Sequence, residues 1–465
     1  MGAVGRGRPP SSTGEILRHA GGTTPPRAMP PTRDARRGVF ERDALVAFVR
    51  ERASCDAEKA EKHAKTLRHR CAVACRGGAM TLDDVENVHA LGLPRAVVDA
   101  LRANFVLYTT KVRHESRSGD GTTTKMIVEL AGGDVVEACV MRHAKGRTTL
   151  CVSSQVGCKM GCTFCATGTL GELGNLSAGE ICEQLAHASR GDAVRNVVFM
   201  GMGEPLNNYR NVIDAIEAMT SDKGFGLSPA KITVSTVGVI PRMRTLRRDA
   251  PGTRLALSLH APNQALRQKI VPTATAYKLE DLMATLDEHM ASGPKMKTMI
   301  EYCVLGGVND DEACARELGA LLRGKEVIVN LIPLNPTDTP AGHVPPTREA
   351  VQKMLEILTS PEFDLFTTVR HEMGQDIAGA CGQLALKTPD APDMEDMIAP
   401  KKKTRAVAKK FKSSSSSTKS PEELNISSSV VPSRDWSRVE CALVAATALS
   451  AVVLAVTISN RKARA

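Results

Sequence analysis

The stretch NVVFMGMGEPLNNYRNVIDAIEAMT, Asn196 to Thr220, sets a short β-branched run against a helical one, with glycines and a proline between them. Asn196 to Gly203 reads as a buried strand and its exit turn, and Asn208 to Thr220 as the helix that follows. Outward from this unit the same order recurs. TTLCVS, KITVSTVG, RLALSLHA, MKTMIEYCVL and EVIVNLIPLN are further strands, and LEDLMATLDEHMA and REAVQKMLEILTS are helices that follow several of them. From about Lys125 to Gly374 this alternation predicts an α/β fold, with parallel strands joined by right-handed crossovers in an open sheet or a full or partial barrel. In such folds the working residues gather beyond the carboxyl ends of the strands.

One strand end carries unusual chemistry. CVSSQVGCKMGCTFCATG, Cys151 to Gly168, places Cys158, Cys162 and Cys165 at C-x3-C-x2-C spacing just after a strand, with Phe164 before the last thiol. Three soft ligands fit iron and sulfur better than a closed zinc site, which takes four. A [4Fe-4S] cluster on three cysteines keeps one iron open to a small molecule. After other strands come Gly203 and Glu204, Ser235, Ser258 with His260, and Asn335. These polar groups make a coherent cofactor site around the cysteine loop.

The chain has 465 residues, 42% of them hydrophobic, and a formal net charge of +10. That bias favours polyanionic partners, nucleic acid first and an acidic membrane surface second. Its 13 cysteines lack even spacing and follow no signal peptide, so they read as ligands or catalysts rather than disulfide staples. Residues 1–38 are rich in Pro, Gly and Arg, the composition of an organellar transit peptide or of a disordered basic tail. Residues 39–110 carry apolar positions at helical spacing and predict a small helical accessory domain, with Cys71 and Cys75 on a buried face. Residues 111–386 form the core. Residues 387–438 read as a disordered basic and serine-rich linker. Residues 439–459 hold the uncharged run CALVAATALSAVVLAVTIS, long enough for a transmembrane helix or for a buried soluble one, ahead of a basic tail at 460–465.

In order along the chain, CVSSQVGCKMGCTFCATG, NLSAGEI, VVFMGMGEPLNN, STVGVIPRM, LALSLHAPN, VNLIPLNP and DIAGACGQL resemble the radical S-adenosylmethionine methyltransferases that methylate carbon 2 of an adenine in large-subunit ribosomal RNA and, in bacteria, in transfer RNA. GEICEQLAHASR and RNVVFMGMGEPLNNY are most like the plant and algal branch. The resemblance covers about Phe40 to Leu386 and implies a partial (β/α) barrel. It also implies that Cys158, Cys162 and Cys165 hold the cluster, and that Gly203, Glu204, Ser235, Ser258, His260 and Asn335 hold S-adenosylmethionine. Cys381 would be the methyl carrier, Cys151 the second catalytic thiol and Glu137 the acid-base carboxylate, one residue further from Cys151 than the family has it. Glu172 and Gly174 depart from the family pattern, which has phenylalanine and arginine there.

Carbon 2 of adenine is electron-poor, so the family uses two S-adenosylmethionine molecules per turnover. One methylates Cys381; the second yields the radical that takes a hydrogen atom from the S-methyl group. The carbon radical adds to the base, and loss of one electron and of the proton at carbon 2 leaves a thioether. Cys151 then attacks the sulfur of Cys381, breaking the bond from that sulfur to the methylene carbon, which takes up a proton, and forming a disulfide as the RNA is released. The resemblance further implies an electron donor such as ferredoxin or flavodoxin and a monomer. An Arg-rich leader points to plastid or mitochondrion, the terminal apolar run to a membrane anchor, and without a functional leader the protein would be cytoplasmic. Rival readings are a related carbon-8 methyltransferase and a membrane-tethered, non-catalytic iron-sulfur protein. Aromatic residues are only 3% of the chain, so RNA contacts should rest on phosphates, with KTLRHR (Lys65 to Arg70) and RMRTLRR (Arg242 to Arg248) as sources. Cys381, between glycines and polar neighbours, suggests a mobile loop. Cys139, Cys182, Cys303 and Cys314 read as structural.

Overall fold

The computed structural model describes residues 36–85, 92–222, 224–292 and 297–384. Most of the leader, the basic and serine-rich linker and the apolar run at 439–459 lie outside the described residues. Within them no helix is long and apolar enough to cross a membrane.

The described residues open with strand β1 (Arg37–Gly38) and helices α1 (Arg42–Arg52), α2 (Ala57–Arg76) and α3 (Arg95–Asn104), and β2 (Phe105–Val106) pairs with β1. Asp56 caps α2 by accepting from the Lys59 amide at 2.7 Å. Cys71 and Cys75 are fully buried on α2, as the helical spacing predicts. Phe40 stacks on Phe225 at 5.5 Å, and the buried side chains of these helices join one continuous core with those of the sheet.

Strands β3 (Lys111–Arg117), β4 (Thr123–Glu129), β5 (Val135–His143) and β6 (Arg147–Cys151) form an antiparallel meander. Beyond it β7 (Gln155–Cys158) and β8 (Gly171–Asn175) make a separate hairpin. Then the alternation begins: α4 (Ala178–Ala188), β9 (Val194–Phe199), α5 (Tyr209–Thr220), β10 (Ile232–Thr236), α6 (Ile240–Asp249), β11 (Arg254–Ser258), α7 (Gln264–Ile270), α8 (Leu279–Ala291), β12 (Thr298–Val304), α9 (Glu312–Leu322), β13 (Val327–Pro333), α10 (Arg348–Thr359) and β14 (Thr367–Val369). The ten-stranded sheet runs β14-β13-β12-β11-β10-β9-β6-β5-β4-β3, parallel from β14 to β6 and antiparallel beyond. Each predicted strand is present. The antiparallel extension makes the α/β core a mixed sheet, because tight turns return the chain after β3, β4 and β5 where the later strands are followed by helices.

α4 begins at a capping box, with Ser177 accepting from the Glu180 amide and Glu180 from the Ser177 amide. The hairpin depends on Gly157, whose φ is +71° and whose added Cβ would come within 1.9 Å of the Gly171 carbonyl oxygen. That glycine presents Cys158 at the end of β7.

Candidate active site

Cys158 ends β7, and Cys162 and Cys165 follow in the loop before a 3-10 turn at Ala166–Leu170. All three are partly exposed, while a second core of Phe164, Ala261, Ile270, Val271, Leu305 and Leu334 packs against Cys162 and Cys165. Burial first, then neighbouring charges that include Cys165, pushes the Cys158 thiol up to about 12. Cys162 is raised well above the usual thiol range by burial and by both other thiols. Bringing a metal up to such crowded thiols would relieve that cost. Among the described residues no three His, Cys, Asp or Glu groups are placed to hold one metal ion. A cubane takes each cysteine on a different iron, so three thiols in one loop suit an iron-sulfur cluster better than a closed zinc site, which takes four ligands. Glu172 is ion-paired to Lys159 at 3.1 Å and bears electrostatically on Cys158, so this departure from the family pattern sits beside the cysteine loop.

The expected cofactor contacts cluster at the carboxyl ends of β9 to β13. Gly203 has φ +102°, and a Cβ there would lie 2.6 Å from the Gln155 side chain. Gln155 accepts from the Glu204 amide at 2.8 Å. The Glu204 carboxylate accepts from the Leu206 amide at 3.0 Å and the Val237 amide at 2.9 Å, and burial raises its pKa. It therefore ties the β9 exit to the β10 exit and keeps lone pairs for a ligand amine. Ser235 and Ser258 meet hydroxyl to hydroxyl at 3.0 Å. His260, with φ +60°, accepts at Nδ1 from the Cys303 amide at 3.0 Å and stands edge-on to Phe164. Burial pushes its pKa down to about 3, which keeps the ring neutral. Arg267, which sequence reasoning missed, is 2% exposed and donates to the Leu259 carbonyl at 3.1 Å. A buried arginine inside an ordinary amphipathic helix leaves no signal in the spacing.

Cys381 lies in the last described loop. Its flanks are pinned: the Ala166 amide donates to the Gly382 carbonyl at 2.8 Å, Asn335 Nδ2 to the Cys381 carbonyl at 3.0 Å, and Thr337 to the Phe164 carbonyl at 3.1 Å. The loop expected to be mobile is thus joined to the cysteine loop by the Ala166–Gly382 backbone bond, which composition does not reveal. Cys381 itself is exposed, because it opens onto a cavity of about 490 Å³ that Cys151 also lines. Burial by the surrounding walls raises its thiol, and the Arg370 guanidinium lowers it. Cys151 is pushed up to about 12 by burial and by Cys381. Arg370 also faces the buried Glu301, at 3.8 Å, and lines the cavity.

Glu137 stands apart from the cavity lining. Its carboxylate is fully buried in an ion pair with Lys125 at 3.0 Å, and Lys125 also donates to the Ala378 carbonyl at 3.4 Å. Through Lys125 the carboxylate braces the loop before Cys381.

The cavity reaches past the carboxyl ends of the strands to the opposite rim, where Arg147, Lys231 and Arg254 stand at or beside the starts of β6, β10 and β11. The basic runs expected to meet RNA are largely engaged elsewhere. Arg68 is 5% exposed and 3.6 Å from Glu61. Arg244 pairs with Glu288 and Arg248 with Asp249, each at 2.8 Å, while Arg247 donates to the His289 carbonyl at 3.0 Å. Arg68 is thus packed into the fold, whereas Arg244 and Arg248 pair at the solvent-exposed surface. Spacing along one helix cannot tell a packed arginine from a free one.

A radical SAM superfamily model matches residues 152–316. A probable dual-specificity RNA methyltransferase RlmN of Desulforudis audaxviator is 41% identical over 309 residues, covering 66% of this chain and 94% of that protein. The ribosomal RNA large subunit methyltransferase N of Nitrosopumilus maritimus is 41% identical over 294 residues, 61% of this chain and 82% of that one. The crystal structure of a radical SAM methyltransferase from Sphaerobacter thermophilus superposes with a TM-score of 0.65 at 34% identity, over 75% of this chain and 99% of that one.

Proposed function

Since the chain belongs to the RlmN family of radical SAM RNA methyltransferases, we propose that it methylates carbon 2 of an adenine in large-subunit ribosomal RNA and in transfer RNA, through S-methylation of Cys381. One observation carries this reading: Cys381 is bonded through its loop to the loop of Cys158, Cys162 and Cys165, and it opens onto the same cavity as Cys151. The methyl carrier would thus share a cavity with the second thiol, and its loop would adjoin the loop of the cluster ligands.

Cys158, Cys162 and Cys165 would hold one [4Fe-4S] cluster, and Gly203, Glu204, Ser235, Ser258, His260 and Asn335 would line the S-adenosylmethionine site beside it. When bound, these two groups supply the electron, the methyl group and the radical, with two S-adenosylmethionine molecules used per turnover. The protein supplies position and thiols. Arg370 favours the anionic form of Cys381, the nucleophile for a sulfonium methyl group. His260 stays neutral and accepts a hydrogen bond from the Cys303 amide, so it fixes the Cys303 backbone without adding charge. Cys151 attacks the sulfur of Cys381 to release the methylated base and leaves a disulfide.

The base enters from the amino-terminal rim of the sheet, where Arg147, Lys231 and Arg254 offer phosphate contacts. A base within folded RNA must leave its stack to reach Cys381, and the enclosed cavity fits a single base better than a duplex. A small reductant such as ferredoxin or flavodoxin feeds the cluster, and the enzyme works as a monomer in a plastid or mitochondrion. An anchor through residues 439–459 would be checked by membrane fractionation of the full chain.

The test is anaerobic reconstitution with methyl-labelled S-adenosylmethionine and ribosomal RNA, followed by nucleoside digestion. Label in 2-methyladenosine is expected. Label in 8-methyladenosine, or no label with an intact cluster, contradicts the reading.

A further inference from the structure

Cys139 is a thiol that the proposed chemistry leaves unused. It stands on β5 directly opposite Cys151 on β6, and on its other side it is opposite Lys125 on β4. Lys125, Cys139 and Cys151 therefore form one row across three strands, on one face of the sheet. Cys139 is 1% exposed, yet it lines the cavity shared by Cys151 and Cys381. Its thiol donates to the Gly379 carbonyl at 3.3 Å, two residues before Cys381. Opposed residues in an antiparallel pair have Cα atoms about 4.5–5.5 Å apart, inside the roughly 4.4–6.8 Å range of disulfides. Every described cysteine is a free thiol.

We propose that Cys139 is the thiol that relieves Cys151 after turnover, moving the disulfide off Cys381 and onto the cross-strand pair Cys139–Cys151. This rests on the reading that turnover ends in a Cys151–Cys381 disulfide. Cys139, as thiolate, attacks Sγ of Cys151. The Cys139–Cys151 bond forms as the Cys151–Cys381 bond breaks, and the electron pair leaves on the sulfur of Cys381. Cys381 gains the proton that Cys139 lost, so the exchange consumes no oxidant and no reductant. Cys381 is then free for the next methyl group, while the strand pair holds the oxidising equivalents until an external dithiol takes them up as its own disulfide. Burial and the neighbouring Cys151 push the Cys139 thiol up, and the Lys125 ammonium works the other way. The attack is intramolecular across one strand pair, so high effective concentration offsets a small thiolate fraction.

Two mapping experiments on the cluster-loaded protein test this, each quenched in acid, alkylated and digested with trypsin. In the first, resting protein is equilibrated anaerobically with oxidised dithiothreitol, so no methyl transfer is needed. A link between the peptides Met126–Arg142 and Thr148–Lys159, localised by fragmentation to Cys151 and not Cys158, is expected; its absence at every redox ratio overturns the proposal. In the second, one turnover on RNA proceeds without dithiol. The same link is expected in the wild type, and a Cys151–Cys381 bond with loss of free Cys381 in Cys139→Ser. A wild type that retains Cys151–Cys381 overturns the relay. A link in the first experiment with unmethylated RNA in the second overturns the methyltransferase reading, and the relay with it, and so separates the two failures.

Discussion

Replacing Lys125 by methionine should cost the fold more than any surface ion pair could. Lys125 and Glu137 are both wholly shielded from solvent, 3.0 Å apart, on adjacent strands of the meander. Removing one partner of a buried ion pair costs about 3–5 kcal/mol. At roughly 2–4 °C per kcal/mol in a domain of this size or somewhat smaller, the thermal midpoint should fall by about 10 °C. The loop before Cys381 also loses the Lys125 contact to the Ala378 carbonyl, at a residue already held at φ +48°. Glu137→Leu should be destabilising for the same reason, and Lys125→Met with Glu137→Leu should recover most of the loss, because a matched apolar pair carries no desolvation penalty. The assay is thermal unfolding of the four proteins as a double-mutant cycle. Additive losses would refute the ion-pair reasoning. So would a Glu137→Gln protein of full stability that stalls with RNA still attached to Cys381, since that outcome returns Glu137 to proton transfer.

Three further outcomes rest on the same geometry. Gly157→Ala should abolish iron incorporation, because the Cβ cannot coexist with the Gly171 carbonyl 1.9 Å away; iron and sulfide analysis at wild-type levels would contradict it. Arg370→Gln should move the pH profile of Cys381 alkylation upward, since the guanidinium lowers that thiol; an unchanged profile would remove Arg370 from its activation. His187, stacked on Tyr108 and bonded to Thr110 at 2.9 Å, is pushed down to about 4 by burial. A depressed histidine contributes stability that is present above its ordinary value of 6.5 and is lost as pH falls toward 4, roughly 3 kcal/mol in all. Chemical unfolding of His187→Asn should lack that acid-side slope, and a slope equal to the wild type would sink the assignment.

The parallel strands were legible because each is a short apolar run closed by glycine or a polar turn, a local property. The three cluster thiols were legible because they lie in one loop. Cys381 and Cys151 were found through motif resemblance, not through periodicity, for nothing local says that residues so far apart in sequence share a cavity. Cys139 passed as an inward strand residue because its role depends on antiparallel register, which the pattern VVEACV leaves open. Arg370 sits at the end of an ordinary edge strand. The setting of the basic runs was hidden for a related reason: Arg68 pairs within its own helix and Arg244 with Glu288 on another, whereas Arg147, Lys231 and Arg254 reach one rim only because neighbouring strands begin there.

The most direct test of the account is the chemical state of Cys381 before RNA is added. Cluster-loaded protein incubated anaerobically with S-adenosylmethionine and reductant is digested, and the peptide His371–Lys387 is weighed and fragmented. The account predicts one methyl group on the sulfur of Cys381, which disappears from the protein when RNA substrate is supplied. A Cys381 that stays unmethylated while RNA acquires label, or a methyl group resident on another cysteine, would contradict it.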